Sequence, residues 1–465
     1  MIRRLSAVLV ATAALVGGCS LDPAYRRPAA PIPSSWPQGA PYAAPTPGAV
    51  AGPVDWRGLV ADAKLAALID TALADNRDLR AAVANAQIAR AQFEAQRSLL
   101  FPTLDATASA NYVRTPLPGG GHQNVRTISA GLAVSAYELD LFGRQRSLSR
   151  AAFEQYLATD EGRRAVQLSL IAETATSYLT LAADRSFVTL ALSTRRSAEE
   201  SLALTQRRFT AGVASQLDVR QAETVVEQAR ADAARYAIAA AQAKNALDLV
   251  VGRTVDEAQT PAGLEEVASS FRPIPVGVRS DVLLARPDVL QAEHQLRAAN
   301  ADIGAARAAF FPSITLTGAA GGASPALSSL FRGANASWSF TPSVVLPIFA
   351  GGRNRANLRG ARAAKDFAVA QYEGAVQAAF RDVADALAGR GGLAEQRTAQ
   401  EALVVAAADA LRLSTARYER GADTYLNTLD AQRVLYAAQQ GAVAVRLNDL
   451  ANVVTLYRAL GGRTE

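Results

Sequence analysis

Hydrophobic and polar positions follow two different periods along this chain. Over residues 219–250 the apolar positions are Val219, Ala222, Val226, Ala229, Ala233, Tyr236, Ala240, Ala243, Leu247 and Val250. Their spacing alternates between three and four, the period of a coiled-coil seam. Alanine at most of these positions lets helices approach closely. From Arg144 to Phe209 there is no proline and a single glycine, Gly162. One uninterrupted helix roughly 100 Å long is expected there. Elsewhere the period is two. In Leu104–Asn111 the even positions are Leu or Ala and the odd ones Asp, Thr, Ser and Asn. Thr127–Ala136 alternates in the same way, as do Ile314–Ala320 and Ala336–Val345. Each segment predicts a strand with one apolar and one small polar face.

These elements occur twice. Arg208-Phe-x-x-Gly212-x4-Leu217 returns as Arg417-Tyr-x-x-Gly421-x4-Leu426, a shift of 209 (417 − 208). Phe101-Pro102 returns as Phe311-Pro312, and Phe142, Arg144 and Arg146 return as Phe349, Arg353 and Arg355. One structural unit has been used twice. Gly212 and Gly421 then mark two antiparallel helix hairpins. In the second long helix Gly389, Gly391 and Gly392 interrupt the pattern, so a kink or local unwinding is expected. The segments before Gly212 and Gly421 predict long helices, and the heptad after Gly212 predicts the returning one. The strand hairpins turn through Pro116–Asn124 and Gly321–Asn335, with His122 in the first loop.

Alternation alone also fits any half-buried sheet. After residue 18 no apolar run is long enough for a membrane helix, so a membrane crossing would require strands. Four strands are too few to close a barrel, because about eight is the minimum. Copies of the chain would have to pool them.

The amino terminus sets the compartment. Arg3 and Arg4 precede the apolar run Leu5–Val16, followed by Gly17-Gly18-Cys19. This is a secretory signal, and small residues just before a cysteine resemble a bacterial lipobox. Cys19 is the only cysteine, which rules out an internal disulfide. Acylated, it would anchor the chain firmly, since each buried methylene adds about 0.8 kcal/mol. Ser20 rather than aspartate follows it, which points to the outer membrane. Residues 23–54 are rich in proline and alanine and read as an extended tether.

Charge and chemistry exclude more than they add. The net charge of +6 is spread along the chain with acidic residues interspersed, so nucleic acid is not an expected partner. Two histidines, His122 and His294, and one cysteine give no metal-ligand cluster, and neither a phosphate-binding Gly-Lys loop nor a nucleophile elbow is present. No catalytic, cofactor or metal site is expected. His294 reads as a structural helix residue. Arg144, Arg146, Arg353 and Arg355 oppose the dipole at their helix starts. Membrane headgroups would explain them, and so would a solvated lumen.

The motifs then form a set. Cys19-Ser-Leu-Asp-Pro23, Tyr25-x-Arg27-Pro28 and Leu65-x-x-Leu68-Ile69-x-x-Ala72-Leu73-x-x-Asn76-x-Asp78-Leu79 open it. Asp140-Leu-Phe142-Gly-Arg144, Arg286-Pro287-Asp288-Val289, Pro347-Ile-Phe349-x-Gly-Gly-Arg353 and Leu456-Tyr-Arg-Ala-Leu-Gly-Gly462 complete it. Together they resemble the outer-membrane efflux lipoproteins of the TolC-like superfamily, NodT/OprM type, over nearly the whole mature chain. Arg57 and Ala285 depart from the family's usual Trp and Arg.

The resemblance implies a mainly α-helical chain with a membrane β-barrel. Long antiparallel coiled-coil helices would form a periplasmic tunnel, with two shorter helices, roughly 60–98 and 213–250, stacked end to end beside the long one. Four strands per subunit would join a twelve-stranded barrel shared by a homotrimer. The expected divisions are a signal peptide at 1–18, an anchor and tether at 19–58, a first repeat at 59–260 and a second at 261–465. The implied function is the exit duct of a tripartite efflux pump in the outer membrane of a Gram-negative bacterium. Its partners would be outer-membrane lipids, a periplasmic adaptor and an inner-membrane transporter, expected to be proton-driven. The alternative is a lipid-anchored periplasmic coiled-coil adaptor or scaffold.

Leu426, Asp430 and Arg433 share one helix face and match the family's periplasmic constriction. In a three-fold tunnel each would form a ring. The tips, Gly212, Val213 and Ser215 in one hairpin and Gly421 and Asp423 in the other, are the expected adaptor contacts.

Overall fold

A computed structural model describes residues 20–42, 55–274 and 280–463. Cys19 and the signal segment lie outside the described residues. Among the described residues there are four strands, β1 (Asp105–Pro116), β2 (His122–Glu138), β3 (Ser313–Ser324) and β4 (Ala336–Val345). Among the described residues the α-helices are α1 (Trp56–Leu59), α2 (Ala63–Asp75), α3 (Arg77–Ser98), α4 (Arg144–Thr210), α5 (Gln216–Val251), α6 (Pro287–Ala308), α7 (Arg353–Glu419) and α8 (Tyr425–Ala459). The first and second long helices, α4 and α7, have 67 residues each.

The chain divides into two compact units that cut across the repeats. One comprises the described part of 1–29 with 85–160 and 291–372. The other comprises the described parts of 30–84, 161–290 and 373–465.

In the first unit the strands form one antiparallel sheet in the order β1-β2-β3-β4. Directly paired residues share a face. Ala106 faces Leu132, Leu132 faces Ala320 and Ala320 faces Trp338. Ser109 faces Ser129 across a 2.8 Å hydroxyl hydrogen bond, and Thr317 faces Thr341. The four alternating patterns therefore combine into one apolar and one polar sheet face, as the period of two predicts. Gly131 and Gly321 oppose each other where no side chain fits: a Cβ on Gly131 would lie 2.4 Å from the Ala320 carbonyl oxygen.

The strands run further than their alternation predicts, and His122 opens β2 opposite Pro116 instead of lying in the turn. The alternation of β2 also breaks. A bulge between Val134 and Tyr137, with Ala136 at φ 51°, advances the register, so that Tyr137 faces Leu316. Tyr137 thus takes the apolar-face place that simple alternation gives Ala136.

The same unit binds the first described residues. Residues 20–29 are extended and tied down by polar contacts. Asp22 accepts hydrogen bonds from Ser147 at 2.5 Å and from Arg150. Asn300 donates to the Pro23 carbonyl at 2.7 Å and Arg307 to that of Leu21 at 2.9 Å. Glu293, 2% exposed, accepts from Tyr25, from both Nε and Nη2 of Arg27, and from Arg297. Burial pushes the Glu293 carboxyl up, but Arg27 and Arg297 outweigh it and hold it below its ordinary range. Residues 20–29 are therefore docked, although 23–29 fall in the stretch expected as an extended tether. His294, beside Glu293, meets Glu154 at 2.6 Å.

The second unit holds the helical packing. Every position of the 219–250 heptad is buried or half-buried, with Val219, Ala222, Ala229, Leu247 and Val250 buried. Burying a side chain such as Leu247 contributes about 1.5–3 kcal/mol. The stretch expected as one helix over 60–98 is broken at Asn76. Asn76 Nδ2 donates to the Val250 carbonyl at 2.8 Å, and its Oδ1 accepts the Leu79 N–H at 2.9 Å. One side chain thus caps α3 while binding the end of α5. Gly252 closes α5 at φ 85°, and a Cβ there would lie 2.6 Å from the Asp75 carbonyl oxygen.

Of the kink or local unwinding expected in the second long helix, the unwinding does not occur: α7 stays helical through Gly389, Gly391 and Gly392. Glycine costs a helix interior about 1 kcal/mol. At Gly389 it also provides clearance, because a Cβ would lie 2.5 Å from Asn452 Nδ2. That Nδ2 donates to the Ala386 carbonyl at 3.1 Å, linking α8 to α7.

Candidate functional site

The two helix hairpins end in the same turn. Val213 N–H donates to the Arg208 carbonyl and Gly212 N–H to that of Phe209, both at 2.9 Å. Ala422 N–H donates to Arg417 and Gly421 N–H to Tyr418, again at 2.9 Å. These are paired Schellman closures, and the glycines at φ 76° and 74° make them possible.

Beyond the turns the copies diverge. Ser215 caps α5 in a reciprocal box: Asp218 N–H donates to its Oγ at 3.1 Å, and Ser215 N–H donates to Asp218 Oδ2 at 2.8 Å. Thr424 makes no side-chain cap for α8. Asp423 orders that turn instead, accepting from Thr424 N–H, Asn427 and Arg417. The Arg417 guanidinium, helped by the Thr424 N–H, holds the Asp423 carboxyl below its usual range. Among the expected tip contacts, Gly212 and Gly421 sit at the turn apices and Val213 is exposed. The side chains of Ser215 and Asp423 are engaged in local capping.

The hairpins meet through residues whose role the sequence did not reveal. Tyr425 and Leu429 pack with Tyr418 and Ala222 in one buried cluster, flanked by Leu202, Leu204 and Val225. The Tyr418 and Tyr425 rings meet edge to face at 5.4 Å. Burial, reinforced by Tyr418, pushes the Tyr425 hydroxyl up to about 12. Arg208 crosses from the first hairpin to the second. Its recurrence as Arg417 was a visible signal, but the equivalent arginines do different work: Arg417 holds its own turn, and Arg208 holds the neighbouring hairpin.

Leu426, Asp430 and Arg433 lie on a face of α8 about a quarter turn around the helix from Tyr425 and Leu429. All three are exposed, Leu426 by 56%. The Asp430 carboxylate and the Arg433 guanidinium make no hydrogen bond or ion pair among the described residues. The helix thus presents a leucine, a carboxylate and a guanidinium in one unpartnered stripe.

Among the described residues no group of three His, Cys, Asp or Glu could hold a metal ion, and no helix is long and apolar enough to cross a membrane.

Comparison with known proteins agrees with this architecture. The family model described as "Outer membrane efflux protein" matches twice, over residues 68–253 and 278–462, once per repeat. The toluene efflux pump outer membrane protein TtgC of Pseudomonas putida is 46% identical over 459 residues, covering 98% of this chain and 94% of its own. Outer membrane protein OprJ of Pseudomonas aeruginosa is 45% identical over 461 residues, with 98% and 95% covered. The open state of the MtrE outer membrane channel of Neisseria gonorrhoeae superposes with a TM-score of 0.85 at 39% identity, covering 96% of this chain and 98% of that one. With both repeats matched and relatives alike over nearly their full length, this chain belongs to the outer membrane efflux protein family.

Proposed function

We propose that this protein is the outer-membrane channel of an efflux pump, a passive exit duct that carries out no chemistry of its own. The observation that carries this reading is the sheet. It has one apolar face, one face of small polar residues and two open edges, β1 and β4. Open edges need partners, and a membrane strand has no water to satisfy them. Three copies pooling four strands each make a closed barrel of twelve. The names of TtgC and its relatives, which are outer-membrane parts of efflux pumps, support the same function.

The long helices of three copies then form the periplasmic part of the duct. The stripe of Leu426, Asp430 and Arg433 faces the three-fold axis, where the leucines close the bore by dewetting and the charged rings pair between neighbours. The turns at Gly212, Val213, Ser215, Gly421 and Asp423 meet a periplasmic adaptor, and a proton-driven inner-membrane transporter supplies energy. Cys19 carries the acyl chains that anchor the docked segment. A purely periplasmic adaptor would have no use for a sheet with an exposed apolar face and two open edges.

The test is the protein's state in outer membranes extracted with mild detergent. A heat-modifiable trimer that conducts in a planar bilayer is expected. A monomer freed by removing the lipid anchor alone would overturn the channel reading.

A further inference from the structure

The two strand-to-helix junctions of the first compact unit come from the same repeated motif yet differ in charge balance. At the first, Arg144 donates to both carboxylate oxygens of Glu138, at 2.9 and 2.5 Å. Asp140 accepts from the Gln145 and Arg146 N–H groups at 3.1 and 2.9 Å and from Arg146 Nε at 3.1 Å. Two carboxylates therefore neutralise two arginines and cap the start of α4. Phe142 is covered by stacking on Phe311, centroid to centroid 4.8 Å.

The second junction has none of this. Counted back from the matching phenylalanines, Phe142 and Phe349, the places of Glu138 and Asp140 are taken by Val345 and Pro347. The side chains of Arg353 and Arg355 make no hydrogen bond or ion pair among the described residues, and neither do those of Arg359 and Arg362 further along α7. All four are exposed, and Arg355, Arg359 and Arg362 share one helix face. Beside them Ile348 and Phe349 are 93% and 90% exposed. Arg353 also borders a cleft of about 400 Å³, together with Pro347, Phe142 and Phe311. The cleft's own carboxylates, Glu138 and Asp140, are already held by Arg144 and Arg146, so Arg353 is its surplus charge.

We infer that this junction is a phospholipid site. Arg353, Arg355, Arg359 and Arg362 bind headgroup phosphates of the inner leaflet, while Ile348 and Phe349 enter the acyl boundary above them. Two observations choose this occupant. The apolar pair is separated from the end of β4 by two residues, so it lies at the membrane's edge if β4 crosses the membrane, and in this respect the inference rests on the channel reading. The cations next in sequence complement the negative surface that lipid phosphates create. Guanidinium groups also grip phosphate oxygens in a two-pronged geometry.

The experiment uses the full chain, extracted from outer membranes in non-ionic detergent and titrated with dioctanoyl phosphatidylglycerol, with native mass spectrometry counting bound lipid. Bound lipid on the wild-type protein, not displaced by inorganic phosphate at the same concentration, is expected. Arg353→Gln and Arg355→Gln should each weaken binding roughly fivefold, and the corresponding Lys variants should largely retain it. Unchanged affinity in the Gln variants would overturn the site, and equal competition by inorganic phosphate would overturn its assignment to lipid. Dissociation of the Gln trimers in lipid-free detergent, where wild-type trimers persist, would overturn it too, by assigning the arginines to carboxylates of a second copy. A wild-type protein absent from the outer-membrane fraction would instead sink the channel reading itself.

Discussion

The Arg208 guanidinium lies 4.6 Å above the Tyr418 ring and donates to the Glu419 carbonyl at 3.2 Å. One side chain thereby ties the end of the first hairpin's long helix to that of the second. A cation over an aromatic face contributes about 0.5–1 kcal/mol at exposed sites, and the hydrogen bond about as much again. Arg208→Ala should therefore speed hydrogen exchange over residues 418–427 severalfold without dissolving the trimer. Arg417→Ala should disturb only the Asp423 turn. Equal effects of the two substitutions would show that Arg208 does not link the hairpins.

The stripe on α8 yields a second prediction. Leu426→Ala combined with Asp430→Ala removes the proposed apolar ring and the proposed carboxylate ring together. Single-channel conductance in a planar bilayer should rise while trimer stability stays the same. Tyr425→Ala, on the buried side, should instead destabilise the tip by about 3 kcal/mol or more. An unchanged closed state in the double variant would remove this stripe from the gate.

Docking of the amino-terminal segment should be sensitive to acid. The folded Glu293 carboxyl titrates below its ordinary value of 4.5. Its contribution is therefore complete above that value and is lost as pH falls through the folded one. Protease sensitivity of residues 20–29 should stay constant from neutral pH down to about 5 and increase below about 4. Glu293→Gln should reproduce the acid behaviour at neutral pH, at a cost of about 2 kcal/mol. Protection that persists in this variant would mean that Asp22 and the backbone contacts suffice.

Two glycines with similar backbone angles should respond differently to alanine. Gly212 has φ 76° and open space around it, whereas Gly252 has φ 85° and the Asp75 carbonyl where a Cβ would go. Gly212→Ala should cost about 1 kcal/mol, the left-handed penalty alone. Gly252→Ala should cost about 3 kcal/mol or more, because a backbone atom must move. Thermal denaturation of the two variants would decide; equal losses would mean that the α2–α3 break adjusts freely.

Much of this protein was legible in the chain because its signals are local. A seam such as Val219 to Val250 repeats every turn or two, and Leu104–Asn111 alternates residue by residue, so each period can be read without knowing the fold. The glycines of the two tips stood out because a left-handed residue closing a helix admits few other side chains, and the repeat displayed that turn twice. The stripe of Leu426, Asp430 and Arg433 was likewise visible as one helix face.

Other features depend on atoms far away in sequence, and only the tertiary structure decided them. Asn76 ends a helix because the Val250 carbonyl lies within its reach. Gly389 continues a helix because Asn452 needs the space a side chain would fill. The bulge before Tyr137 changes which residue faces the apolar side, and alternation cannot count an extra residue without the partner strand. Glu293 gathers Tyr25 and Arg27 from more than 260 positions away. The repeat made Arg208 and Arg417 look alike, as it did Arg144 and Arg353. Their different roles come from the carboxylates, carbonyls and rings that folding places beside one member of each pair and withholds from the other.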